Sequence, residues 1–401
     1  MKYVLQCLSC GYQFDETSFC TACPQCGGVI DPVIQHVKKA RVDYRHRTIM
    51  RYHEFLPVDD VSHIASYERA CPTPLVSSPL LAKACGFHHV LLKDETVSHT
   101  GTLKDREGLL TIYRLMKHKI PGLVIASSGN AGIAIAYYAS IMKKAHVYLF
   151  LPQCSQRRMM MALQRFTDPA FVTVYHVEGS MDEASIAAKE FAQNHDVPYG
   201  TGFRNYSRRE GVKTLALEYL LEQRQRADWY VQGVAGALAV HAFYKAHKEL
   251  GVPCPHLLGV QPDACSPFVD AYHAHAEELT DAYIPKEPVI VPEAPVLKTR
   301  RPVDAYPIIK KEVDETHGSF KKVSRDEIQD ALSLFYTEPY FVSKYQKTHV
   351  QIGLEAATAL AGAIKAREED IIHDDETVLI NVSGCARPSD IPIEWWDAIG
   401  V

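Results

Sequence analysis

From about Leu75 onward the chain alternates short apolar runs with helix-length stretches, and that alternation constrains the fold more than any other feature. Runs at Val90–Leu92, Leu123–Ala126, His146–Leu151, Phe171–Tyr175, Trp229–Val231, Leu257–Gln261 and Val378–Val382 read as buried strands. Strands separated by helices build a parallel sheet. The expectation is an α/β chain with two twisted, mainly parallel sheet domains. A length of 401 residues, 47% of them hydrophobic, is enough for two cores. A net charge of −5 argues against a nucleic-acid or membrane-surface partner. No apolar run approaches the roughly 20 residues a bilayer span needs.

Three strand–loop–helix junctions carry the chemistry. In the first, Lys93 to Arg106, a helix begins near Thr102 and places Lys104 in its first turn. Unpaired backbone N–H groups and the positive dipole end disfavour another cation there, which suits an amine that must attack an aldehyde. The second junction is Ala126-Ser127-Ser128-Gly129-Asn130-Ala131-Gly132, and the third is Val231-Gln232-Gly233-Val234-Ala235-Gly236-Ala237-Leu238. Backbone amides at such a turn, followed by a helix N-terminus, form an anion site.

The N-terminus differs. Cys7-x2-Cys10 and Cys23-x2-Cys26 are each followed by glycine, as in zinc knuckles, and together they supply four thiolates for a closed, structural zinc site. Cys20 is the spare, although Cys20 with Cys23 is an alternative second pair. The domain reading is a zinc-ribbon-like segment over 1–28, a large domain over 29–121 and 179–401, and a small mobile α/β domain over 122–178. The stretch from Ile284 to Pro307, with six prolines, reads as an irregular crossing. The chain is expected to be cytoplasmic, since a cysteine pair follows Met1–Gln6 where a signal peptide would have its apolar region.

In this order and spacing the junctions resemble fold-type II pyridoxal-phosphate enzymes, the tryptophan-synthase-β-like class, and threonine synthases most closely. Pro72-Thr73-Pro74-Leu75, Thr100-Gly101-Thr102-Leu103-Lys104-Asp105-Arg106, Ser128-Gly129-Asn130, Asn205 to Thr214 and Ser383-Gly384 each match a segment of that family. The resemblance implies pyridoxal 5'-phosphate on Lys104, with its phosphate on Gly233, Val234, Ala235, Gly236 and Ala237. It also sets Asn130 at the phenolic oxygen and Ser383 at the ring nitrogen. A hydroxyl there leaves the nitrogen unprotonated and favours elimination over transamination.

The substrate carboxylate would lie on Ser127, Ser128, Gly129 and Asn130, and the substrate phosphate would need a cation. Arg106, Arg157, Arg158, Arg208 and Lys213 are available, and Arg208 matches the family arginine. Val234 and Ala237 stand where threonine synthases carry asparagines, and Cys385 where they carry histidine.

The implied activity is elimination and replacement on a small phosphorylated amino acid: O-phosphohomoserine and water to threonine and phosphate, by a lyase type of chemistry. The alternatives are β-replacement on O-phosphoserine with sulfite, as in cysteate synthases, and a non-catalytic ligand sensor on the same fold. Enzymes of this fold are often homodimers, so a homodimer is expected.

Overall fold

Packing divides the chain into two units, each with a parallel sheet of its own. The computed structural model describes residues 2–62, 64, 72–200, 202–286, 289, 291, 295–387 and 390. In chain order the strands are β1 (Tyr3–Cys7), β2 (Gln13–Phe14), β3 (Ile30–Ile34), β4 (Leu75–Ser77), β5 (His89–Asp94), β6 (Gly122–Ala126), β7 (His146–Pro152), β8 (Val172–Val177), β9 (Trp229–Gly233), β10 (His256–Pro262), β11 (Ser319–Val323) and β12 (Thr377–Val382).

The first unit takes in Met1–Pro72, Ser98–Leu221 and Lys245–Gly251. Its parallel sheet, β6-β7-β8, is covered by the helix Met181–His195, so the packing of the block expected over 122–178 continues past that boundary. Phe150 and Tyr175 on the sheet meet Phe191 on that helix, with ring centroids 5.5 and 5.2 Å away. The helix starts on a capping box in which Ser180 and Glu183 satisfy each other's backbone ends.

The Lys104–Lys117 helix packs against Asn130–Met142 and against Tyr206–Leu217. Gly211 permits the second contact. A Cβ at that position would sit 2.1 Å from the Arg106 carbonyl oxygen, so any larger residue would push the helices apart.

The ribbon belongs to this same unit. Its sheet is β2-β1-β3, and β3 pairs antiparallel with β1 from Tyr3↔Ile34 to Cys7↔Ile30. The segment therefore runs past Gly28, where composition alone placed its end, because Ile30 and Ile34 bury beside Tyr3 and Leu5, with Tyr206 packed on them. It is also joined to the Lys104–Lys117 helix. Glu16, its carboxylate almost wholly buried, accepts from Arg114 Nε and Tyr206 Oη at 2.7 Å and from Tyr3 Oη at 2.5 Å. Arg114 also donates to the Cys20 carbonyl at 2.6 Å, and Asp31 pairs with Arg209 at 2.8 Å and Lys245 at 2.6 Å.

The second unit takes in Thr73–Val97, Glu222–Tyr244 and Val252–Val401. Its sheet runs β11-β10-β9-β12-β5-β4, parallel except for β4 at one edge. The alanine-rich Leu354–Glu368 helix is buried along most of its length, and packs on the apolar faces of β9, β10 and β12 around Val231, Val260 and Ile380. Alanine costs no side-chain entropy on burial and lets a helix approach a sheet closely. Between Ile284 and Pro307 no regular element precedes Tyr306 among the described residues, and 287, 288, 290 and 292–294 lie outside them.

Candidate active site

Three consecutive charges in the first unit have separate fates. Asp105 is fully buried, and accepts from the Thr100 amide and hydroxyl at 2.7 Å each, which closes the loop ahead of the helix. Arg106, also buried, makes a two-pronged pair with Glu218 at 2.7 and 2.9 Å and donates to Thr214 Oγ1 at 2.9 Å. Lys104 alone keeps about a quarter of its side chain exposed. Two residues thus build the turn and the third is presented.

Lys104 Nζ lies 2.5 Å from Glu107 Oε1, and Arg208 Nε donates to Glu107 Oε2 at 2.8 Å. Burial pushes the Glu107 carboxyl up, but the charges of Arg208 and Lys104 outweigh it and hold the group below the usual carboxylate range. Glu107 was invisible to the sequence reading. A glutamate three residues after a lysine on a helix reads as an ordinary surface pair, whereas this one is fully buried.

The same geometry bears on the phosphate cations. Arg208 is committed to Glu107 and the Gly202 carbonyl, Arg106 to Glu218, and Lys213 to Glu210 and Glu249 at 2.6 and 2.8 Å. Arg158 donates to Asn130 Oδ1 at 3.2 Å, and the side chain of Arg157 lies outside the described residues.

At the second junction Ser127 lies two residues ahead of Gly129, the N-cap of the helix that begins at Asn130. Its hydroxyl accepts from the Gly129 and Gly132 amides at 3.3 and 3.0 Å. Ser128 and Gly129 are half-buried, and Asn130 is buried at the first helical position.

In the second unit, β9 and β12 are neighbours with Val231 opposite Ile380, so Gly233 and Ser383 leave adjacent strands at the same end of the sheet. Ligands of open α/β sheets bind outside these carboxyl ends. Gly233 is dictated by space, since a Cβ there would lie 2.5 Å from the Glu355 carbonyl oxygen. The Val234 amide donates to the Val260 carbonyl at 2.7 Å and is therefore a sheet donor. Ala237 turns with φ of +56°, a left-handed conformation that glycine or asparagine takes more readily, just before the helix starting at Leu238.

Ser383 is buried, and the Gly384 carbonyl accepts from the Gly353 amide at 2.8 Å. Beneath both loops runs a polar chain that sequence reasoning missed. Asn381 Nδ2 and Tyr230 Oη donate to Gln232 Oε1 at 2.7 and 2.9 Å, and Gln232 Nε2 donates to the Gly233 carbonyl at 2.9 Å. Polar residues on buried strands were the available signal.

The cysteine cluster forms as its spacing implied. Sγ of Cys7 and Cys26, of Cys10 and Cys26, and of Cys10 and Cys23 lie 3.5, 3.5 and 3.8 Å apart, and the four fit one metal site. Backbone amides of Cys10, Gln25 and Gly28 point at the sulfurs of Cys7, Cys23 and Cys26. Cys20 stands apart, with its carbonyl on Arg114.

Two mainly parallel sheets, with a lysine about a quarter exposed at a helix start in the first unit and a glycine turn at strand ends in the second, are features of the fold-type II α/β class. Residues 68–384 match the family model described as "Pyridoxal-phosphate dependent enzyme", and the chain belongs to that family. It is 27% identical to a threonine synthase of Methanocaldococcus jannaschii, over 94% of this chain and 91% of that one. It is 25% identical to a cysteate synthase of Methanococcoides burtonii, over 96% and 89%. In fold it resembles maize serine racemase (TM-score 0.65, 18% identity, 82% of this chain and 91% of the other). Threonine deaminase isoform 2 of Solanum lycopersicum is similar to the same degree (TM-score 0.64, 18% identity, 82% and 86%). Among the described residues no helix is long and apolar enough to cross a membrane.

Each unit by itself carries a group of the kind the family's cofactor needs. An accessible amine at a helix start suits an aldehyde, and a glycine turn running into a helix N-terminus suits a phosphate.

Proposed function

We propose that the protein catalyses a pyridoxal-phosphate-dependent elimination and replacement on an O-phospho-amino acid, acting as a threonine synthase on O-phosphohomoserine with release of phosphate. The observation that carries this reading is the separation of Lys104 from its neighbours: Asp105 and Arg106 are consumed by the fold, and Lys104 is held out by it.

When bound, the cofactor supplies an electron-withdrawing ring that makes the α-proton of an amino acid removable. Lys104 Nζ is the proposed point of attachment and then the base that takes that proton. Glu107 orients the amine, and Arg208 holds Glu107 ionised, so Arg208 positions the lysine as well as being the family's candidate for the substrate phosphate. In the other unit, the amides of Ala235, Gly236 and Ala237 are the proposed phosphate donors, because that of Val234 serves the sheet. Ser383 is proposed at the ring nitrogen, and Asn130 at the phenolic oxygen. The remaining amides of the turn would take the carboxylate, because the Ser127 hydroxyl already accepts from those of Gly129 and Gly132.

A second reading rests on the loop departures. Val234, Ala237 and Cys385 replace the threonine-synthase pattern, and the cysteate synthase relative covers the chain as fully as the threonine synthase does. In that case the substrate is O-phosphoserine and sulfite adds at Cβ. Measuring phosphate release from each substrate, with and without sulfite, separates the two. Turnover of O-phosphohomoserine alone supports the first reading, sulfite-dependent turnover of O-phosphoserine the second, and release from neither overturns both.

We also propose structural zinc on Cys7, Cys10, Cys23 and Cys26, a homodimeric assembly, and the cytoplasm as the compartment, where such thiolates stay reduced.

A further inference from the structure

The segment joining the ribbon to the body carries a second group of ligand-type side chains. Asp43 and His46 lie on a turn, and His53 lies on the short helix Ile49–Phe55. Asp43 Oδ2 is 3.6 Å from His46 Nε2 and 3.5 Å from His53 Nε2, and one ligand atom from each of the three lies within 4.8 Å of the others. These are ion-pair separations, longer than a well-formed hydrogen bond. They are close to the about 3.3–3.4 Å between ligand atoms that bonds of about 2.0–2.1 Å at tetrahedral angles produce.

The scaffold is rigid where it matters. The Asp43 amide donates to the Arg51 carbonyl at 2.8 Å, Arg51 Nε donates back to the His46 carbonyl at 3.3 Å, and Thr48 caps the helix by accepting from the Met50 amide. Lys2 Nζ donates to the His53 carbonyl from the other side. His46 Nδ1 is buried without a hydrogen-bond partner among the described residues, so no second bond of that ring explains its orientation. The three side chains keep 11–21% of their area exposed, which leaves an approach for an ion and a water.

The cation now on the carboxylate is Arg45, which bonds Asp43 Oδ1 and Oδ2 at 2.8 and 2.7 Å from a side chain 87% exposed. The pair is two-pronged, but the Arg45 side chain is held by no packing and can swing into solvent when another cation takes Oδ2.

We propose that Asp43, His46 and His53 form a second metal site, distinct from the four cysteines, which binds one divalent ion of the zinc class through one carboxylate oxygen and two imidazole nitrogens. The fourth position is left to water. Two imidazoles and a carboxylate suit zinc and cobalt and would bind calcium or magnesium poorly. On binding, Arg45 gives up Oδ2 to the ion.

The test is a cobalt and zinc titration of the chelator-stripped full chain, with metal content measured alongside. Cobalt on thiolates shows an intense charge-transfer band, whereas cobalt on imidazole and carboxylate shows only weak ligand-field bands, so the two sites are read separately. The expected result is an equivalent without thiolate absorption, weakened at least about tenfold in His46→Ala and in His53→Ala and unchanged in Cys10→Ser. Arg45→Ala, a surface change that leaves the scaffold intact, should tighten that equivalent. Cobalt confined to the thiolate bands overturns the proposal. So does a second equivalent that both histidine variants retain, or a loss of affinity in Arg45→Ala.

Discussion

The two ends of the Lys104–Lys117 helix each carry a buried carboxylate among cations, and they are built for opposite purposes. At the far end Glu16 accepts from Arg114, Tyr3 and Tyr206 and lies 3.1 Å from His118, with 1% of its side chain exposed. At the near end Glu107 has the same burial but only two ionic partners among the described residues, and one of them, Lys104, is partly exposed. The first is held by the buried Arg114 and joins ribbon to helix, with the partly exposed Lys117 only a distant partner at 3.9 Å. The second can lose Lys104 to a ligand and keep Arg208. A buried carboxylate that must stay ionised needs at least one fixed cation, and each end has one.

The comparison breaks most visibly at Lys104. Lys104→Ala should abolish cofactor-dependent absorbance and turnover while the protein still folds, checked by visible spectra and thermal melting. Wild-type phosphate release from that variant would remove the near end from the chemistry altogether.

Next in size is Glu16→Gln. It leaves the Arg114 charge buried without its counter-charge and should cost about 3–5 kcal/mol of stability in denaturant melts. Its pH signature follows from the carboxyl. Burial pushes the group up, but the close His118 imidazole and the charge of Arg114 pull it from 4.5 down to about 2. A carboxyl depressed on folding contributes stability that is complete above about 4.5 and is lost as pH falls toward about 2. The variant should therefore show a flatter loss of stability across that window than the wild type.

Glu107→Gln sharpens the contrast from the other side. It should cost less stability, about 1–3 kcal/mol, because Lys104 is partly exposed and can return to water when its carboxylate partner is lost. It should also lower kcat more than KM, since Lys104 loses its orienting partner. An equal loss of stability in the two variants, with kcat spared in both, would erase the distinction between the ends.

The sheets were legible in the sequence because parallel strands covered on both faces read as plain apolar runs, such as Gly122–Ala126 and Thr377–Val382. β11 was not, because Ser319–Val323 carries Lys321 and Lys322, which an edge strand tolerates and a central one does not. β3 was not among the expected strands because, with Asp31 and Pro32 in it, it does not look like one until its partner β1 is known. In the site, Lys104 announced itself by motif. Glu107 and Gln232 did not, because their roles come from burial and from partners over a hundred residues away in the chain.

The smallest expected effect is at the glycine turn. Ala237→Gly should raise stability by roughly 0.5–1 kcal/mol by relieving the left-handed backbone, read as a small upward shift in melting temperature. A fall would mean that the Ala237 methyl is itself packed and needed.

Lys104 is the proposed carrier of the cofactor. Borohydride reduction of the cofactor-loaded protein, followed by peptide mapping, tests this directly. The reduced cofactor should be found on the peptide that contains Thr102-Leu103-Lys104-Asp105-Arg106, at Lys104. Label on any other lysine, with Lys104 unmodified, would contradict it.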